Sequence, residues 1–250
     1  MSIIIKTPEQ IQGIRKSCRL TAESLQYLKK LVRPGVTTEF LDAKAEEFIR
    51  DHGAIPACLN YCGFPKTLCT SINSVVCHGI PDKTELKEGD ILSIDTGTIL
   101  DGYFGDTCIT VPVGEISKEA KDLIKVTRKC LEAGIKEVFP GNNFGNIGYK
   151  IQKLASNYGY GIVYQFTGHG VGLEFHEDPE VLHTAKKNSG PAMKPGMIFT
   201  IEPMINIGLG KVKVDSKDKW TVRTIDGSLS AQFEHTILVT KKGKEVFTEL

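Results

Sequence analysis

The sequence predicts an α+β fold made of two similar halves. Two helix-forming segments that begin at Pro34-Gly35 and Pro140-Gly141 align at a constant offset of 106 positions. The strand-forming segments KEGDILSID and KPGMIFTIE, which end at Asp95 and Glu202, align at an offset of 107 positions. A repeat of helices followed by strands, each strand ending in an acidic residue, indicates duplication of one α+β unit.

The second strand of each half begins with an acidic residue. DTCITV, which starts at Asp106, resembles EHTILV, which starts at Glu234. A solenoid needs at least three short repeats, whereas two copies of about 100 residues indicate halves packed about a pseudo-twofold axis. We therefore expect one domain over residues 1–250, with halves at about 7–111 and 117–239 and antiparallel or mixed sheets covered by helices.

Four helices are predicted from capping residues and from the spacing of apolar residues. Thr7 as N-cap, with Pro8 at the first position and Gln10 at the third, forms a capping box. Ser117 is expected to cap the third helix, which Pro140-Gly141 would end. The apolar faces in chain order are Ile11, Ile14, Cys18, Ala22 and Leu25; Leu41, Ala45, Phe48 and Ile49; Leu123, Ile124, Leu131 and Ile135; Ile147, Ile151, Leu154 and Ala155.

Composition places the chain among ordinary globular proteins, with 40% hydrophobic and 24% charged residues. The net charge of +1 gives no basic excess for binding nucleic acid, and the KKGK run at Lys241–Lys244 is too short to change that. Neither a signal-peptide core nor a segment of membrane-span length is found. The sequence therefore predicts a soluble, cytoplasmic protein with no membrane or nucleic-acid partner.

The seven cysteines predict reduced thiols rather than disulfides, because the number is odd and no export signal is present. Four of them lie between Cys58 and Cys77 and precede His78, so a structural zinc site is one alternative. No CxxC pair occurs, and the spacings match no common zinc module. Buried apolar thiols are the other interpretation.

Four acidic residues lie in strands with apolar neighbours on both sides: Asp95, Asp106, Glu202 and Glu234. A buried ionised carboxylate is costly unless a cation or several donors compensate its charge. Taken singly, each could be a strand-end acid bound to nearby backbone. Four in repeated positions indicate a common cause.

A hairpin would bring two of these acids together. Asp101-Gly102 lies between apolar runs and predicts a two-residue turn. In that register Asp106 faces Gly97, two residues from Asp95, so the two acids share one face of the ribbon. They become diagonal neighbours roughly 7–8 Å apart. We expect Gly97 to leave the space between them open.

Histidines complete the predicted site. His169 and His176 lie in TGHGVGLEFHEDPE, and the GHGV at Gly168 resembles the CHGI at Cys77 in the first half. A buried structural histidine is the alternative for either position. Four carboxylates and one imidazole suit two divalent ions such as Mn, Fe, Co or Zn. Two such ions can share a water and polarise a carbonyl, which indicates hydrolysis.

Five motifs resemble the type I methionine aminopeptidases in their short bacterial form: VCHGIP, the eleven-residue spacing of Asp95 and Asp106, GHGVGLEFHEDP, TIEPM and AQFEHT. They extend over nearly the whole chain. The resemblance implies the pita-bread fold, whose two pseudo-twofold-related halves agree with the internal repeat.

The resemblance also implies roles for individual residues. The metal ligands would be Asp95, Asp106, His169, Glu202 and Glu234, with Asp106 and Glu234 bridging the two ions. His78 and His176 would hydrogen-bond the substrate, and Glu202 would transfer a proton from water to the leaving amine. A monovalent-cation site would comprise Asn73, Val75 and Ser230.

A methionine pocket is implied as well, lined by Cys58, Tyr61, Phe64, Cys69, Phe175 and Trp220. Sulfur and aromatic side chains suit a thioether, although such a cluster also occurs in plain cores. Cys62 departs from the bacterial pattern, in which histidine is frequent, and this affects contacts with the second substrate residue.

The implied activity is removal of the initiator methionine from nascent proteins whose second residue is small. Its partners would be nascent N-termini and, transiently, the ribosome, and the protein would be a monomer. The alternatives are another pita-bread hydrolase, similar to aminopeptidase P or prolidase, and a non-catalytic ribosome-associated binding protein.

Overall fold

The computed structural model describes residues 3–250, so residues 1 and 2 of the predicted domain lie outside the described part. Within that range the helices are α1 (Pro8–Leu31), α2 (Thr38–Asp51), α3 (Lys118–Lys136) and α4 (Gly145–Asn157). The strands are β1 (Ile55–Pro56), β2 (Leu68–Ile72), β3 (Val75–Cys77), β4 (Ile91–Leu100), β5 (Tyr103–Pro112), β6 (Gly161–Ile162), β7 (Gly168–Gly170), β8 (Glu177–Val181), β9 (Ile198–Ile201), β10 (Met204–Asn206), β11 (Val212–Val214), β12 (Val222–Thr224), β13 (Ser230–Gln232), β14 (His235–Val239) and β15 (Lys244–Val246).

The four predicted helices are confirmed, and the two predicted caps, at Thr7 of α1 and Ser117 of α3, are present. The Thr7 hydroxyl accepts from the Gln10 backbone N–H at 3.3 Å, while the Gln10 side chain accepts from the Thr7 backbone at 2.9 Å. The Ser117 hydroxyl accepts from Ala120 at 3.1 Å. These contacts satisfy backbone donors that a helix start leaves without partners. Helix α3 ends at Lys136, before the predicted stop at Pro140-Gly141.

The strands form one four-stranded sheet, one five-stranded sheet and two three-stranded sheets. In the first, β4 pairs with β5 along one edge and with β1 and β2 along the other. The five-stranded sheet has the order β15-β14-β9-β7-β8. Among residues 3–250 every strand pair is antiparallel, which confirms the antiparallel form of the predicted sheets.

Helices cover the sheets of both halves, as predicted. In the first half the core joins apolar residues of α1 and α2 to the four-stranded sheet: Leu25, Leu28, Leu41, Ala45, Leu68, Leu92, Ile94 and Val111. In the second half α3 and α4 pack on strands that include β9 and β14: Leu123, Val126, Cys130, Ile147, Ile151, Phe199, Ile201 and Ile237. Burial of these faces gives each half its main stabilisation.

The two halves meet where β5 approaches the start of β14. The Thr107 hydroxyl donates to the Glu234 carbonyl at 2.7 Å, and the Thr236 hydroxyl donates to the Asp106 carbonyl at 2.7 Å. This reciprocal pair of bonds is what a pseudo-twofold axis between the two segments requires. It fixes the backbones of Asp106 and Glu234 beside each other.

Helix α1 approaches β5 closely at Gly105, the residue before Asp106. A Cβ at Gly105 would lie 2.5 Å from the Cys18 backbone nitrogen. We therefore expect Gly105→Ala to lower the free energy of unfolding by about 1–3 kcal/mol through overpacking. Urea denaturation measures this, with Gly243→Ala as control, because a Cβ there meets nothing within 4 Å. Equal unfolding free energies for the two variants would contradict the prediction.

Candidate metal centre and active site

The predicted hairpin and its register are confirmed. Strands β4 and β5 are joined at Asp101-Gly102, and the ladder pairs Gly97 with Asp106 and Asp95 with Cys108. Asp101 and Gly102 have φ values of 53° and 82°, as a two-residue hairpin turn of type I′ requires. Asp95 and Asp106 therefore lie on the same face and line one cavity.

The space at Gly97 is not open, contrary to expectation. A Cβ at this position would lie 2.9 Å from the Phe175 ring and 3.0 Å from the Ala57 methyl group. Because Gly97 has no side chain, the Phe175 ring packs against the sheet at this point, and the space between the acids is not left open. The error arose because the approach of Phe175 comes from a distant segment of the chain.

The second half supplies its two acids at adjoining strand ends. Glu202 follows β9 and Glu234 precedes β14, and these strands pair with Ile201 opposite His235. The Glu202 carboxylate accepts hydrogen bonds from the Thr200 hydroxyl at 2.8 Å and from the Gln232 amide at 3.3 Å.

Three residues that hold Glu202 were not found from the sequence. They are Thr200, Gln232 and His183, whose Nε2 accepts from the Glu202 backbone N–H at 3.2 Å. Thr200 lies two positions before Glu202 on the same face of the strand, and this spacing was a signal. Gln232 and His183 gave no such signal, because they come close to Glu202 only in the folded chain.

His169 lies among these acids. Its Nε2 is 3.5 Å from Asp106 Oδ2 and 3.6 Å from Glu202 Oε1, and its backbone N–H donates to Thr200 at 3.0 Å. Ligand atoms of Asp106, His169 and Glu234 lie within 4.8 Å of one another. This convergence of two carboxylates and an imidazole is suitable for a divalent ion.

Burial strongly affects the titration of this cluster. Burial, together with the charges of Asp106 and Glu202, raises the pKa of Asp95 and Glu234 well above their usual range. Burial raises the pKa of Glu202 to about 7. For His169 burial lowers the pKa, but the hydrogen bond to Asp106 and the charges of Glu202 and Asp106 outweigh it and raise the value to about 9.

The donor atoms fit a divalent metal. Asp106 Oδ1 and Glu234 Oε1 are buried and have no hydrogen-bond partner among residues 3–250. Buried carboxylate oxygens normally have partners, and a cation would supply one while removing the repulsion between the acids. The structure thus brings together the five predicted ligands, Asp95, Asp106, His169, Glu202 and Glu234, around one cavity.

The cavity measures about 630 Å³ and extends from the acids to an apolar end. That end contains all six predicted pocket residues, Cys58, Tyr61, Phe64, Cys69, Phe175 and Trp220, in one packed cluster. Phe64 meets Trp220 edge to face at 5.2 Å, and Tyr61 meets Phe175 in the same way at 5.0 Å. Cys62 also lines the cavity but is exposed.

Two further histidines, His78 and His176, line the same cavity. His176 stacks on Tyr61 at 5.0 Å, and its ring centroid is 4.0 Å from that of His169. His78 meets Phe166 at 5.6 Å and Trp220 at 6.0 Å, in both cases edge to face. Burial lowers the pKa of His78 to about 4, so its imidazole is neutral at pH 7.

A family model described as metallopeptidase family M24 matches residues 12–241. The chain belongs to this family. The family is one of metallopeptidases, and all five predicted ligands are present around the cavity, so the alternative of a non-catalytic binding protein is not supported.

Known M24 proteins resemble the chain over its full length. It is 48% identical to a methionine aminopeptidase of Rickettsia prowazekii over 248 residues, covering 99% of this chain and 96% of that protein. A crystal structure of methionine aminopeptidase from that organism has a TM-score of 0.98 and covers 99% of this chain and 100% of that chain. A methionine aminopeptidase structure from Thermotoga maritima, 38% identical, has a TM-score of 0.97 and covers 100% of both chains. The predicted pita-bread fold is thereby confirmed.

Elsewhere in this M24 chain the predicted monovalent-cation residues lie close together. Asn73 has φ 53°, and its carbonyl accepts from the Ser230 backbone N–H at 2.8 Å. Val75 begins β3, two residues further on. The Ser230 hydroxyl is buried without a hydrogen-bond partner among the described residues.

The cysteines are free thiols, and six of the seven are buried, as one of the two interpretations predicted. Over residues 3–250 the group of His, Cys, Asp and Glu side chains close enough to hold a metal contains no cysteine. The alternative of a cysteine zinc site is therefore not supported. Within the same range no helix is both long and apolar enough to cross a membrane.

Proposed function

We propose that the chain removes the N-terminal methionine from nascent polypeptides whose second residue is small. The observation that supports this best is the single cavity of about 630 Å³ that joins the acidic cluster to a sulfur-rich and aromatic pocket. The Rickettsia prowazekii and Thermotoga maritima relatives are methionine aminopeptidases, which supports the same activity.

The proposed ligands of two divalent ions are Asp95, Asp106, His169, Glu202 and Glu234, with Asp106 and Glu234 in the bridging positions. Their oxygen and nitrogen donors suit Co, Mn, Fe or Zn. Bound ions would acidify the attacking water and polarise the scissile carbonyl. The central place of Asp106 and Glu234 between the two halves supports the bridging role.

Glu202 is the proposed proton carrier. Thr200 and Gln232 hold its two carboxylate oxygens, so that its orientation is fixed before substrate binds. In this position it accepts a proton from the attacking water and delivers it to the leaving amine. His78 and His176, which line the same cavity, would donate hydrogen bonds to the substrate carbonyl and amide.

The apolar end of the cavity would hold the methionine side chain. Cys58 and Cys69 supply sulfur, and the rings of Phe64, Phe175 and Trp220 supply aromatic edges, which contact a thioether favourably. The second residue would lie beside His78 and His176, which line the same cavity, and their rings would leave room only for small side chains.

Peptide substrates test this specificity. We expect Met-Ala and Met-Ser peptides to be cleaved with similar kcat/KM and a Met-Lys peptide roughly 100-fold more slowly, because a long second side chain clashes with the two histidines. Norleucine should replace methionine, whereas a charged first residue should not, since its burial without a partner is costly. Equal rates for Met-Ala and Met-Lys would contradict the size limit.

The remaining proposals concern the surroundings of the enzyme. A monovalent cation would bind near Asn73, Val75 and Ser230, which the unpaired Ser230 hydroxyl supports. The enzyme would act as a monomer in the cytoplasm and meet its substrates transiently at the ribosome. The net charge of +1 is no general basic excess, so the contact with the ribosome would not depend on one.

A further inference from the structure

A buried ion pair joins the segment before α1 to the edge of the cavity. Lys6 Nζ pairs with Glu177 Oε2, although 171 residues separate them in the chain. Their side chains are only 1% and 4% exposed. Charged groups are rarely buried this deeply unless they are paired. Lys6 and Glu177 can therefore be buried only because they pair with each other.

The second oxygen of Glu177 holds a loop of the active site. Glu177 Oε1 accepts hydrogen bonds from the backbone N–H groups of Leu173 at 2.7 Å and Glu174 at 3.0 Å. These bonds close the segment that presents Phe175 to the proposed methionine pocket and His176 to the same cavity. One carboxylate thus connects Lys6 to two residues of the substrate site.

Both ends of this connection are fixed to the rest of the molecule. The Lys6 backbone N–H donates to the Gly196 carbonyl at 2.9 Å, close to the start of β9. At the other end the Gly172 carbonyl accepts from the Phe104 backbone N–H at 2.9 Å. The segment between Gly172 and Glu177 is therefore anchored to the rest of the protein, and the Glu177 carboxylate determines its conformation.

We propose that Lys6 is a positioning residue for the substrate site, acting through Glu177 on Phe175 and His176. Without the Lys6 charge, the buried Glu177 carboxylate has no counter-ion and moves towards water. This movement weakens its bonds to Leu173 and Glu174 and loosens the loop. The inference rests on the proposed function.

Lys6→Met tests the inference in the full-length, metal-loaded enzyme. We expect kcat/KM for a Met-Ala-Ser peptide, per folded molecule, to fall roughly 10- to 100-fold, as when a catalytic group is misplaced by about 1 Å. The preference for methionine over shorter first residues should fall too, because Phe175 forms part of the pocket wall. Metal content by elemental analysis should stay at the wild-type value, since no proposed ligand lies in this loop.

Arg15→Met is the matched control. Arg15 forms bonds of 2.7 and 2.8 Å with Glu245, a pair that also ties the start of the chain to a distant segment. Glu245 does not line the cavity. This variant should lose stability while keeping wild-type kcat/KM and first-residue preference per folded molecule.

The double variant Lys6→Met/Glu177→Gln tests whether Lys6 acts through Glu177. The introduced glutamine would be neutral but would keep an oxygen for Leu173 and Glu174. If Lys6→Met lowers kcat/KM roughly 100-fold, we therefore expect the kcat/KM of the double variant to be about tenfold or more above that of Lys6→Met. Wild-type activity and preference in Lys6→Met, or no recovery in the double variant, would overturn the inference. An inactive wild-type enzyme in the same assay would instead refute the proposed function.

Discussion

Replacing Asp106 with alanine is expected to remove metal binding and activity together. Asp106 Oδ1 is a buried oxygen without a hydrogen-bond partner among residues 3–250, and Oδ2 lies 3.5 Å from His169 Nε2. Without this carboxylate the second ion loses a proposed bridging ligand. Loss of an outer-shell partner alone costs about 10–100-fold in metal affinity or activity, so we expect kcat/KM to fall more than roughly 100-fold.

Metal titration followed by thermal unfolding measures this effect independently of activity. A ligand that binds only the folded protein raises its stability by mass action, so added metal should raise the Tm of the wild type more than that of Asp106→Ala. Elemental analysis should show that the second ion is lost first.

Asp42→Ala provides the control for removal of a buried acid. Asp42 is buried like Asp106, but its carboxylate accepts from the backbone N–H groups of Thr67 and Leu68 and does not line the cavity. This variant should lose stability and keep its metal. An Asp106→Ala protein that retains two ions and full activity would contradict the proposed bridging role.

The site could be predicted from sequence where local rules determine geometry. A two-residue turn at Asp101-Gly102 fixes the register of its hairpin, and this alone placed Asp95 and Asp106 on one face. The internal repeat then related Asp106 to Glu234, and the reciprocal bonds of Thr107 and Thr236 agree with that relation.

Prediction failed where distant segments meet. The role of Gly97 was misjudged because nothing near it in sequence indicates that Phe175 packs against it. Gln232 and His183 resemble ordinary polar residues until folding brings them to Glu202. Lys6 gave no signal either, since a lysine before a helix normally lies in water.

His78 is the residue for which repeat and family resemblance disagree. In the repeat it corresponds to His169, which would make it a ligand, whereas the resemblance makes it a hydrogen-bond donor to the substrate. The structure brings His169, not His78, within 4.8 Å of the ligand atoms of Asp106 and Glu234. His78 instead follows β3 with φ 55° and contacts Phe166 and Trp220.

His78→Ala should therefore leave the metal content near that of the wild type. Its kcat/KM should fall roughly 100-fold, the scale of one hydrogen bond made in the transition state. His169→Ala, the matched variant, should lose metal, because it removes the imidazole from the centre of the acidic cluster. The decisive measurement is metal stoichiometry under limiting metal. A loss in His78→Ala as large as that in His169→Ala would show that the two halves bind metal symmetrically, with His78 as a ligand.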